Sequence, residues 1–138
     1  MYLTSLITDN ITELLVKIIE FTRTRHTILI KNISNIDLPG FIPKDLSVYE
    51  FCELLNDAID EHAQSRWLVL RDTENIKFGI GGQFEVKPVA DKYAKELLEE
   101  DRYEYIELQT NKLLENTLNR KIAAELLRQK QGKVSVFD

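Results

Sequence analysis

From Ile11 onward, apolar side chains return every three or four residues and then stop abruptly at Leu38-Pro39-Gly40-Phe41. No other feature restricts the fold so tightly. Ile11, Leu14, Ile18, Phe21, Arg25, Ile28 and Asn32 follow the period of one helix face, and Leu15, Ile19, Leu29 and Ile33 widen it. Asn10, with Glu13 three residues later, has the spacing of an N-terminal capping box. The pattern predicts a flexible N-terminus over 1–10 and a helix over 11–36. The regular part, Ile11 to about Ser34, is roughly 36 Å long. Pro39 lacks the N–H a helix needs and pushes Leu38 into extended backbone. Pro39-Gly40 is also the pair a type II turn favours.

Residues 37–46 therefore form a turn and linker. "SVYE" then opens a second helix over 47–64, with Ser47 as cap and Glu50 as its reciprocal partner. Val48, Phe51, Cys52, Leu55, Ala58 and Ile59 make its expected buried face. Over 66–89 the period changes. "RWLVLRD" is compatible with a strand, and "IKFGIGGQFEVKPV" predicts a hairpin around Gly81-Gly82. Residues 90–132 return to helix in at least two segments, with Gly132 as the expected stop. In the last of these, Leu108, Leu114, Leu118, Ile122 and Leu126 form one apolar face. Ile106, Leu113, Ala124 and Leu127 lie elsewhere on the cylinder. Apolar residues on two sides predict burial on two sides. In a chain of 138 residues, part of that second side is expected to face other chains.

Composition narrows the function. The chain is 43% hydrophobic and 30% charged, a globular balance rather than a disordered one. Its net charge of −5, with no cluster of basic residues, argues against nucleic acid as a partner. No apolar run reaches the ~18 residues of a membrane span. The N-terminus shows neither the basic region nor the cleavage site of a secretory signal peptide. The single cysteine, Cys52, allows no internal disulfide and fits a small buried hydrophobe better than a nucleophile. His26 and His62 lack partners at metal-ligand spacing. "GIGGQ" lacks the ending of a phosphate loop. Glu96, Glu99, Glu100, Asp101, Glu104 and Glu107 read as a solvated face rather than a cation site. The expectation is no enzyme, no catalytic residue, no metal and no cofactor.

What remains is "NISNIDLPGF". On a heptad, Asn32 continues the apolar seam, where a polar residue fixes register. On a straight helix, Asn32 sits at the stripe edge and Asn35 outside it, and both bond local backbone. The stretch resembles the Asn-x-Ala-Asn-x-x-Thr-Pro-Gly-Tyr signature of bacterial flagellar basal-body rod proteins. Asn32, Asn35, Pro39 and Gly40 match, and Phe41 stands for the aromatic. Ser34, Leu38 and Phe41 depart from the usual Ala, Thr and Tyr. The order of long helix, motif, short extended linker and amphipathic helix over Arg23–Ile59 is most similar to the proximal rod proteins of the B type. So is the short length, with no large insertion between the terminal helices.

The resemblance implies a mainly α fold in one domain. Long N- and C-terminal helices would pack as an antiparallel coiled-coil-like pair, with a short middle helix and a small β-hairpin. It implies a structural subunit of the proximal rod, made in the cytoplasm without a cleaved signal peptide and exported by the flagellar type III apparatus. Its place would be the periplasmic rod of the basal body. Its partners would be other rod and basal-body subunits and the export apparatus, in homo- and hetero-oligomers. Asn32, Asn35, Pro39, Gly40 and Phe41 would be the assembly motif, and Ile11, Leu14, Ile18, Phe21, Ile28, Leu114, Leu118, Ile122 and Leu126 the helix-packing residues. The alternatives are another short rod subunit, of the C type, and a soluble cytoplasmic helical interaction module such as a regulator or export chaperone.

Overall fold

A computed structural model describes residues 2–79 and 84–137, with side-chain surroundings for 10–79 and 84–132. The fold is mainly helical. In chain order it comprises α1 (Tyr2–Ser34), β1 (Lys44–Asp45), α2 (Val48–Ser65), β2 (Ile76–Phe78), β3 (Phe84–Val86), β4 (Val89–Ala90), α3 (Lys92–Glu100) and α4 (Arg102–Phe137). The chain forms two compact units. The first joins the chain up to Asp45 with the chain from Ala90, and the second is Leu46–Val89.

In the first unit α1 and α4 pack against each other. They run antiparallel, because Asn32 meets Gln109 while Thr22 meets Asn116. On α1 the buried positions include Leu15, Thr22, Arg25, Leu29 and Asn32, and on α4 they are Tyr105, Gln109, Asn116 and Ala123. Leu15, Thr22 and Leu29 recur every seven residues, as do Gln109, Asn116 and Ala123. This is the repeat of a coiled-coil seam, here with many polar members.

Both long helices exceed their expected bounds. α1 begins at Tyr2, and Asn10 lies within it rather than capping it. A cap contributes only about 1 kcal/mol, which continued backbone bonding outweighs. α4 continues through Gly132, since glycine in a helix costs about 1 kcal/mol without stopping it. The break between α3 and α4 is Asp101. Its extended backbone ends α3, and its Oδ1 accepts the N–H groups of Tyr103 and Glu104, which starts α4.

In the second unit, Ser47 caps α2 as expected, its hydroxyl accepting from the Glu50 N–H at 3.3 Å. Glu50 Oε2 is buried without a partner and does not complete the box. The buried face is Phe51, Leu54 and Ala58, while Cys52 and Ile59 are exposed. The Phe51 ring on that buried face meets Phe84 of β3 at 6.1 Å. β2 and β3 pair antiparallel, with Lys77 opposite Glu85, as the hairpin reading required. The turn at Gly81-Gly82 lies outside the described residues. "RWLVLRD" forms no strand, and Trp67 is exposed. Among the described residues no strand pairs with it, and strand propensity acts through such neighbours.

Candidate assembly junction

Where α1 ends, the chain reverses and is tied back to the helix it has just left. Phe41 donates its N–H to the Leu38 carbonyl at 3.1 Å, and Gly40 has φ +73°. This is the left-handed third position of the type II turn that Pro39-Gly40 predicted. An added Cβ at Gly40 would meet nothing within 4 Å, so backbone conformation alone asks for glycine there.

The turn delivers Lys44 to Asn32. Asn32 Nδ2 donates to the Lys44 carbonyl at 2.7 Å, and the Lys44 N–H donates to Asn32 Oδ1 at 3.2 Å. The asparagine side chain thus pairs with backbone as a neighbouring strand would. Nδ2 also donates to Gln109 Oε1 at 3.0 Å, and the Tyr105 hydroxyl donates to the Asn32 carbonyl at 2.7 Å. Burial, and then the negative charge of Asp91, push the Tyr105 phenol up to about 12. It therefore remains a donor throughout the neutral range.

Beside this clamp lies a cluster of four charges. Arg25 grips Asp45 with two parallel bonds, Nε to Oδ1 at 2.9 Å and a terminal nitrogen to Oδ2 at 3.0 Å. Lys112 reaches Asp45 at 3.1 Å and Asp91 at 2.8 Å. The other oxygen of Asp91 caps α3 by accepting from the Ala94 N–H. One lysine on α4 therefore joins β1 to the start of α3. Burial works against the charge on Asp45, but Arg25 and Lys112 outweigh it and hold the carboxyl below its usual 3.8. Burial likewise opposes the charge on Lys112, and its two carboxylates outweigh that and raise it above 10.5.

The sign of the pH effect follows. A lowered Asp45 contributes stability above pH 3.8 and loses it as pH falls through its native value. A raised Lys112 contributes below pH 10.5 and loses it as pH rises through its own. Chemical denaturation as a function of pH should show a fall below about pH 4. That acid fall should be smaller in an Asp45→Asn chain.

The motif residues thus divide. Asn32 is 2% exposed and central. Among the described residues Asn35 makes only backbone bonds, its N–H to the Lys31 carbonyl and its carbonyl to the Leu38 N–H. Pro39 and Gly40 form an exposed turn, and Phe41 is half-buried. Of the expected packing residues on α1, Phe21 is buried, and Ile11, Leu14, Ile18 and Ile28 are half-buried. Those on α4 are turned away from the seam. Leu114, Leu118, Ile122 and Leu126 are 61%, 52%, 58% and 46% exposed. Polar residues with specific partners occupy the inner side instead: Asn116 Nδ2 donates to the Thr22 carbonyl at 2.7 Å. Asp45, Asp91, Tyr105, Gln109, Lys112 and Asn116 are all central to the junction and escaped the sequence reading. The readable signal was Gln109, Lys112 and Asn116 at heptad spacing within a leucine-rich helix.

Among the described residues, no helix is long and apolar enough to cross a membrane. Scans against protein-family models, characterised proteins and solved structures each return no match to this chain.

Proposed function

We propose that this chain is a structural subunit of the proximal rod of the bacterial flagellar basal body, acting by assembly rather than catalysis. The observation that carries the reading is the Leu114–Leu118–Ile122–Leu126 stripe. It is exposed on a helix whose opposite side is already filled by α1. Large apolar side chains in a continuous exposed row mark a contact surface. The "NISNIDLPGF" stretch supports the rod assignment by resemblance, and the junction gives that stretch a mechanical role. It ends the helix arm and ties the outgoing linker to it.

In this reading the subunit is made in the cytoplasm, leaves through the flagellar type III channel, and joins other rod subunits in the periplasm. The decisive experiment deletes the gene, scores motility, and seeks a tagged copy in purified basal bodies. Non-motile cells, with the tagged chain in the rod, are the expected result. A motile deletion strain with the protein confined to the cytosol would overturn it in favour of a cytoplasmic regulator or chaperone. A finer test is Leu118→Glu with Ile122→Glu. Both sites are exposed, so unfolding free energy should change by no more than about 0.5 kcal/mol per site while motility is lost.

A further inference from the structure

We infer that α4 carries both halves of a heterologous contact between copies of this chain: an acidic, apolar face on its N-terminal half and a basic groove beside its C-terminal half. This inference rests on the reading of the chain as an assembling subunit and specifies how one copy holds the next.

The groove lies between α1 and α4. It has a volume of about 370 Å³ and is lined by Ile19, Ala124 and Leu127 together with Arg23, Arg120 and Lys121. The three apolar residues suit a helix face. The three cations are unusual in a chain of net charge −5. Among the described residues, none of the three has a carboxylate within ion-pair distance. By contrast, Arg128 at the same groove is neutralised by Glu125. Three uncompensated cations around apolar residues ask for an anionic partner that also has an apolar side.

The same helix presents such a surface. Glu104, Glu107, Glu115 and Leu118 are all exposed and follow helical spacing along one face, with Leu114 beside them. Among the described residues, none of these three glutamates forms an ion pair. The surface combines negative charge with leucine, complementary to the groove in both respects. It does not overlap the groove, so one copy can offer its acidic face while its groove receives the next. A contact between two different patches leaves one of each unsatisfied at the ends, so it propagates instead of stopping at a dimer.

The test uses the full chain in sedimentation velocity across protein concentration, at about 50 mM and about 500 mM salt. Association should weaken about tenfold or more over that range, as screening shortens from more than 10 Å to a few ångströms. Arg120→Glu with Lys121→Glu should abolish association, and so should Glu107→Lys with Glu115→Lys, each with an unchanged helical circular dichroism spectrum. Mixing the two reversed chains should restore it, because each groove then meets a face of opposite charge. That rescue requires both variants to be folded. A chain monomeric under all conditions, association unaffected by salt, or a mixture that stays dissociated would overturn the contact. So would a groove that binds oligonucleotides or anionic vesicles while the chain does not self-associate. The motility result is independent: a non-motile deletion with no rescue removes this contact alone, and a motile deletion with rescue removes only the flagellar assignment.

Discussion

Replacing Asp45 with alanine is expected to cost about 3–5 kcal/mol of unfolding free energy, the largest effect of any single change at the junction. Two cations depend on this carboxylate. Arg25 and Asp45 side chains are 8% and 13% exposed, and Lys112 is 22% exposed. Removing the carboxylate leaves the guanidinium buried against a gap with no counter-charge. Lys112 would keep Asp91 and so lose only part of its compensation. The expected ordering is therefore that Arg25 suffers most. Asp45→Asn, which keeps two polar atoms in place, should cost less than Asp45→Ala. Replacing Arg25 and Asp45 together with apolar residues of similar volume should cost far less than Asp45→Ala alone, because no unpaired buried charge remains. Urea denaturation of the four chains measures all of this, and a cost below about 1 kcal/mol for Asp45→Ala would show the pair to be a solvated one.

How far the fold could be read from sequence depended on whether the governing interactions are local. Ser47 needs only the Glu50 N–H three residues away, so the start of α2 was legible. The Pro39-Gly40 turn was legible for the same reason, since φ preferences at two adjacent residues decide it. Which side of α4 faces inward was not. Hydropathy selects Leu114, Leu118, Ile122 and Leu126, but the inner side is set by Asn116 reaching a carbonyl 94 residues earlier and by Gln109 meeting Asn32. A polar seam of this kind is apolar in environment yet not in composition, and a hydrophobic period cannot reveal it. Arg25 stood correctly in the α1 pattern by spacing, although its partner depends on a chain reversal twenty residues away. Cys52 and Ile59 were placed inward because α2 is apolar on a broad arc, and the part that is covered carries Phe51, which meets Phe84 of β3.

The two asparagines of the motif are expected to separate cleanly under substitution. Asn32→Leu should destabilise the chain by about 2–4 kcal/mol, because burial turns lost hydrogen bonds into unsatisfied groups. The Lys44 N–H and carbonyl and Gln109 Oε1 each lose a partner, and the Gln109 amide nitrogen is already without one. Tyr105 donates to the backbone carbonyl of residue 32 and keeps that bond, so the cost falls on the side-chain partners. Asn35→Leu touches none of these bonds and should change stability by about 0.5 kcal/mol or less. The consequence reaches function. A pair of asparagines that only set register between subunits would leave the isolated chain intact when replaced. Here the first of them holds the isolated chain together, so assembly defects in Asn32 variants should track loss of fold, measured as helical signal and denaturation midpoint. Defects in Asn35 variants should appear, if at all, with fold unchanged. An Asn32→Leu chain as stable as the original would return the motif to contacts between subunits alone.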